Sequence, residues 1–119
     1  MAKYIDGFVI PVAKKNLPAY RRMAKLGCKV WMEHGALDYR ETVAEDLDMP
    51  WGLGFTRGLK LKRGETVVFA YIVYRSRKDR DRINKKVMAD PRMTGMSEQE
   101  MPFDMKRFMV AGFTTIVEG

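Results

Sequence analysis

Nine consecutive residues, Thr66-Val67-Val68-Phe69-Ala70-Tyr71-Ile72-Val73-Tyr74, read as a β-strand that is apolar on both faces. Side chains alternate along a strand, so Val67, Phe69, Tyr71 and Val73 point one way and Val68, Ala70, Ile72 and Tyr74 the other. A sheet built around such a strand has to be covered twice. The chain has 119 residues, enough for one domain with one two-layer core. Its remaining periodicity supplies two substantial helices, which cover one face. The second cover is therefore expected from another copy of the chain.

The first strand pattern runs from Tyr4 to Val12, with Pro11 closing it. Asn16-Leu17-Pro18 then marks a helix start, Asn16 as cap and Pro18 in the first turn, where a missing N–H costs nothing. Tyr20, Ala24, Gly27 or Cys28 and Trp31 form its apolar stripe, flanked by Met23, Leu26 and Val30, and Gly35 is the stop signal. Ala36 to Asp46 reads as a polar second strand. Leu37, Tyr39 and Val43 share a face with Glu41 and Glu45, a pattern suited to a sheet edge. Leu47 to Gly64 is a long connection with Trp51 and Phe55 as apolar anchors.

After the two-faced strand, Ser76-Arg77-Lys78-Asp79 resembles a capping box opening a second helix, which Asp90-Pro91 ends. Its apolar stripe is thin, Ile83 and Val87 with Met88 beside them. Arg107 to Val117 forms the last strand, again apolar on both faces. The order is βαββαβ. It implies an α+β, ferredoxin-like plait over residues 1–119, a four-stranded antiparallel sheet with both helices on one face. The uncovered face then presents Phe69 and Tyr71, or their neighbours on the opposite face, and an apolar patch of that kind marks an interface.

Composition and charge narrow the function classes. Hydrophobic residues make up 46% and charged residues 31%, which suits a globular chain, and no apolar run is long enough to span a bilayer. Met1 leads directly into strand pattern with no signal-peptide core, and a single cysteine, Cys28, allows no internal disulfide, so the cytoplasm is the expected compartment. The net charge of +7 is concentrated between Arg75 and Lys86, where seven basic residues meet two aspartates. Arg77, Lys78, Arg82, Lys85 and Lys86 spread around the helix rather than forming one stripe, which suits a solvated face, with Asp81 and Lys85 as an i,i+4 pair.

Four blocks in order then carry a resemblance. They are Asp6-Gly7-Phe8-Val9-Ile10-Pro11-Val12, Val30-Trp31-Met32-Glu33-His34-Gly35-Ala36-Leu37-Asp38-Tyr39, Arg80 through Arg92, and Met101-Pro102-Phe103-Asp104-Met105-Lys106-Arg107. Together they resemble an uncharacterised bacterial family, the YbaA-like proteins, over nearly the whole chain. Trp51-Gly52-Leu53-Gly54 departs from that pattern. The family is similar to the dimeric α+β barrel superfamily, in which two plaits press their open sheet faces together. That superfamily spans cofactor-free monooxygenases, haem-degrading enzymes, isomerases and proteins with no known reaction, so the resemblance implies a fold and a homodimer rather than a reaction.

The candidate site from sequence is a small-molecule pocket between the first helix and the sheet. Trp31, Tyr71, Asn84 and Arg80 are its expected ligand-binding residues, and His34, the one histidine, its candidate catalytic residue. In the enzymatic reading, superfamily analogy implies a cofactor-free monooxygenase-like or isomerase-like reaction on a small aromatic or enolisable substrate, with His34 as general base near Glu33. The competing readings are structural. His34 suits a helix C-cap favoured by the dipole, Trp31 suits core packing, and Arg80 and Asn84 suit surface or loop contacts. Asp6, inside an apolar strand, needs an arginine partner from elsewhere. No metal or cofactor is expected, because one histidine and one cysteine at unrelated positions make no ligand set. The alternative function is a ligand- or protein-binding module without chemistry.

An RNA-recognition motif is also βαββαβ. Phe69-Ala70-Tyr71-Ile72-Val73-Tyr74 fits the last six positions of its aromatic strand, but Val67 and Val68 replace the basic residue and the glycine. Valines beside the rings suit burial, and no specific nucleic-acid role is expected.

Overall fold

The computed structural model describes residues 2–95 and 101–119. Its strands are β1 (Tyr4–Ala13), β2 (Asp38–Val43), β3 (Glu65–Tyr74) and β4 (Met109–Thr114). They form one antiparallel sheet in the order β2-β3-β1-β4. Two long helices, α1 (Leu17–Glu33) and α3 (Arg77–Ala89), and two single-turn helices, α2 (Phe55–Gly58) and α4 (Pro91–Thr94), complete the elements. This is the ferredoxin-like α+β plait. The two-faced strand, β3, lies inside the sheet beside β1, and the polar strand, β2, lies at an edge.

The helix-facing set is buried as the alternation requires. Val68, Ala70, Ile72 and Tyr74 of β3 pack with Ile10 and Val12 of β1 and with Tyr20, Ala24 and Val30 of α1, and Ile83 and Val87 of α3 complete the layer. Among the described residues no methionine is fully buried, and Met23 and Met93 are partly buried against the core. Met32, Met49, Met88 and Met109 are exposed.

Local signals explain the boundaries. Ser76 Oγ accepts a hydrogen bond from Asp79 N at 3.1 Å and opens α3. Gly35 adopts a φ of 117°, a left-handed conformation that only glycine enters freely, and α1 stops there. Asn16 stands at the N-cap of α1, but its side chain makes no cap bond, and a single 3-10 turn (Lys14–Asn16) leads in. Pro11 does not end β1, which continues to Ala13. The reason is pairing: β4 accompanies β1 only from Tyr4 to Val9, so Pro11 sits where one side of β1 has no partner and its missing N–H is tolerated.

The opposite face of the sheet is partly covered by the chain itself. The connection after β2 folds across one end of it. Ala44 N donates to Val67 O at 2.9 Å, and Leu47, Met49, Trp51 and Phe55 form a hollow of about 280 Å³ with Val67 and Phe69. Val67 is buried there. Further along the face, Phe69, Met109 and Phe113 are each about half exposed, as are Trp51 and Leu53 to a greater degree on the loop. The ring of Phe113 lies over Gly7, where an added Cβ would stand 3.1 Å from it. β4 is shorter than its apolar run, and every one of its residues is exposed.

Candidate functional site

The residues singled out from sequence fall into three separate places. Trp31, Asn84 and Arg80 meet in a buried polar network beneath α3. Asp6, only 3% exposed, accepts from Arg80 NH1 at 2.9 Å and from Asn84 Nδ2 at 3.4 Å. Asn84 Oδ1 in turn accepts from Trp31 Nε1 at 3.0 Å and from the Tyr74 hydroxyl at 3.1 Å. The Arg80 guanidinium lies 5.0 Å above the Tyr4 ring. Arg80 Nε is 2.9 Å from Asp81 Oδ1 but at an angle that makes no hydrogen bond. Asp81 therefore associates with Arg80, not with Lys85 as helix spacing suggested. The arginine that Asp6 required comes from α3 of the same chain. Burial, then the nearby Asp6 carboxylate, pushes the Tyr74 phenol above its ordinary range.

His34 is the C-cap of α1. Its ring does not reach the free helix carbonyls but pairs with Asp90 Oδ2 at 2.9 Å. Asp90 also accepts from the Arg92 backbone at 3.0 Å and from its guanidinium at 2.8 Å, and Arg92 reaches Glu33 at 2.8 Å. Arg92 first, and His34 second, hold the Asp90 carboxyl far below the usual carboxylate range.

Tyr71 is a correction. It pairs across the sheet with Gly7 and Arg40, on the face away from the helices. One residue of strand register separates it from Ile72 and Tyr74, and that step moves a side chain to the other face. It cannot join Trp31 and Asn84.

A cavity lies elsewhere, between α1 and the edge strand β2. It is a cleft of about 830 Å³ whose lining includes Tyr20, Ala24 and Cys28 from α1 with Tyr39, Glu41 and Val43 from β2. Glu41 points inward, between Tyr39 and Val43 on the helix-facing side of the edge strand. Its two oxygens are each held by a phenol. Tyr20 donates to Oε1 and Tyr39 to Oε2, both at 2.7 Å. Burial, reinforced by the Glu41 charge, pushes both phenols well above their ordinary range, so both remain protonated donors. Gly27 makes the approach possible, since a Cβ there would stand 3.0 Å from the Tyr39 hydroxyl. None of these cleft residues was among the sequence candidates. The signal was present in Glu41, a carboxylate on the apolar face of a strand, where it needs partners.

Residues 3–105 match the family model described as a protein of unknown function (DUF1428). Over 116 residues the chain is 40% identical to the uncharacterized protein YbaA of Escherichia coli strain K12, covering 98% of each, and equally to that of Shigella flexneri. The chain belongs to the DUF1428 family. A solved dimeric ferredoxin-like protein from an uncultured marine organism aligns over the full length of both chains, with a TM-score of 0.61 and 10% identity, and so shares the fold. Among the described residues of this DUF1428 chain, no helix is long and apolar enough to cross a membrane, and no cluster of three or more His, Cys, Asp or Glu side chains is arranged to hold a metal ion.

Proposed function

We propose that this protein is a homodimer that binds a small organic molecule in the cleft between α1 and β2, as a binding module rather than a proton-abstracting enzyme. The cleft carries the reading. Its volume suits a small ligand, its lining is largely apolar, and its few polar groups converge on one carboxylate. Both Glu41 oxygens already accept phenolic protons, so neither stands unpartnered to take a proton from a bound molecule. His34 is engaged by Asp90 and does not line the cleft. Tyr20 and Tyr39 supply hydroxyl oxygens as acceptors for a ligand's N–H or O–H.

Cys28, the chain's one cysteine, lines the same cleft and reports on it. A neutral apolar dye, N-phenyl-1-naphthylamine, is expected to bind and to slow alkylation of Cys28 by iodoacetamide. Dye binding that leaves the Cys28 rate unchanged would place the ligand elsewhere and defeat the reading.

Dimerisation is supported by the half-exposed Phe69, Met109 and Phe113 on a sheet face that the helices do not cover. The solved neighbour of the same fold is itself described as dimeric. Light scattering should give a dimer at micromolar concentration, and Phe69→Asp should give a folded monomer by circular dichroism. A monomeric wild type would remove the proposal.

A further inference from the structure

We infer that the ligand of this cleft is an organic anion, its apolar body between α1 and β2 and its acidic group at Arg21, Arg22 and Lys25. The inference rests on the cleft reading above and adds the charge of the ligand. These three cations line the cavity from the α1 side, are exposed, and have no ion-pair partner among the described residues. The cavity's one carboxylate, Glu41 on the β2 wall, is held by Tyr39 of the same strand and by Tyr20 reaching across from α1. The lining is therefore polarised, with positive charge on the helix side and a satisfied carboxylate on the strand side. Nothing on α1 offsets the cations nearby. The first turn of the helix has no acidic residue, and Glu33, its one carboxylate, is at the far end and paired with Arg92. Leu17 and Pro18 border the cleft, so the positive end of the helix dipole adds to the same field. Apolar walls between them leave space for a ring or short chain. An acid whose body is a flat apolar group satisfies both halves, and a neutral isostere satisfies only one.

Two isosteric probes separate these requirements: naphthalene-1-carboxylate, an anion, and naphthalene-1-carboxamide, which is neutral. Each is titrated against the full-length protein while Cys28 is alkylated with iodoacetamide, a neutral reagent, and the rate is expressed relative to the same protein without probe. The carboxylate is expected to protect Cys28 at about tenfold lower concentration than the amide at low salt, the value of one charge-assisted contact at a partly solvated rim. That advantage should shrink as salt screens it and should vanish in Arg21→Gln/Arg22→Gln/Lys25→Gln. If the triple variant does not fold, Arg22→Gln alone and the salt series on the wild type decide. Equal protection by the two probes would overturn the inference while leaving the cleft reading intact. A preference for the carboxylate that survives both salt and the substitutions would place the acidic group elsewhere and also overturn it. If neither naphthalene probe nor the neutral dye protects Cys28, the cleft reading itself fails.

Discussion

Asp6→Ala should be among the most destabilising single substitutions in this chain, and the structure sets the size of the loss. The carboxylate is buried in the centre of the sheet, 2.9 Å from Arg80 NH1, with side-chain exposures of 5% for Asp6 and 21% for Arg80. Removing one partner of a buried pair leaves the other charge desolvated, at about 3–5 kcal/mol. Because Arg80 retains a fifth of its exposure and its stacking on Tyr4, the lower end applies, about 3 kcal/mol. The Asn84 Nδ2 bond to Asp6, at 3.4 Å, is long and adds little. A domain of this size has a stability on the order of 10 kcal/mol, so the loss is about a third of it and should lower Tm by roughly 10–15 °C.

The assay is urea unfolding followed by circular dichroism at fixed protein concentration, because the apparent stability of the proposed dimer would vary with concentration. Lys3→Ala is the control. It removes the Lys3–Glu118 pair, also 2.9 Å long but with both side chains about half exposed, and should cost under about 1 kcal/mol. A second variant separates the pair's worth from the penalty of orphaning it. Asp6→Leu with Arg80→Met replaces both charges by apolar groups and should recover most of the stability. If Asp6→Ala costs no more than Lys3→Ala, or if the double replacement is as unstable as the single, the account of this network is wrong.

Alkaline titration tests the phenols. Tyr20, Tyr39 and Tyr74 all have pKa values raised above the ordinary 10.0 by burial. A group whose folded pKa is raised contributes stability that is complete below the unfolded value and is lost as pH rises past it. Stability should therefore fall above pH 10.0, and tyrosinate absorbance from at least these three of the five tyrosines should appear only with unfolding. Reversible ionisation of all five in the native protein would contradict the buried placement. Gly112→Ala tests the β1–β4 edge: an added Cβ would overlap the Tyr4 hydroxyl, so Tyr4 must leave its place over Arg80, at about 1–3 kcal/mol measured by the same unfolding assay.

The fold was legible because its strongest constraints are local. Alternation along Thr66–Tyr74 sorted the residues of β3 onto two faces without deciding which one the helices cover, and Gly35, Ser76 and Asp90-Pro91 set helix ends through conformations that depend on one or two residues. Asp6 was also legible as needing an arginine, since an ionised carboxylate inside an apolar strand has few other solutions. Which arginine it takes was not, because Arg80 lies 74 positions away and is brought there only by packing α3 on the sheet. Tyr71 shows the same limit from the other side. Its residue type suited a pocket, but the register that places Val68, Ala70, Ile72 and Tyr74 under the helices turns it outward.

Glu41 shows why the cleft escaped notice. On an edge strand, charge is the ordinary defence against pairing with another chain, and Glu41 reads as part of that defence beside Arg40 and Glu45. Yet Arg40 and Glu41 face opposite ways, and only Arg40 points toward the uncovered face. Glu41 faces α1, where a carboxylate without partners would weaken the packing of helix on sheet. Tyr20 and Tyr39 remove that penalty by giving each oxygen a phenolic proton. Gly27 gives Tyr39 the room to reach it. The arrangement costs α1 a glycine in its interior, about 1 kcal/mol relative to alanine. A chain that needed only a closed core at this edge would gain by placing apolar residues at positions 27 and 41. Retaining Glu41 and its two tyrosines around an open cleft is the arrangement expected if the cleft binds something.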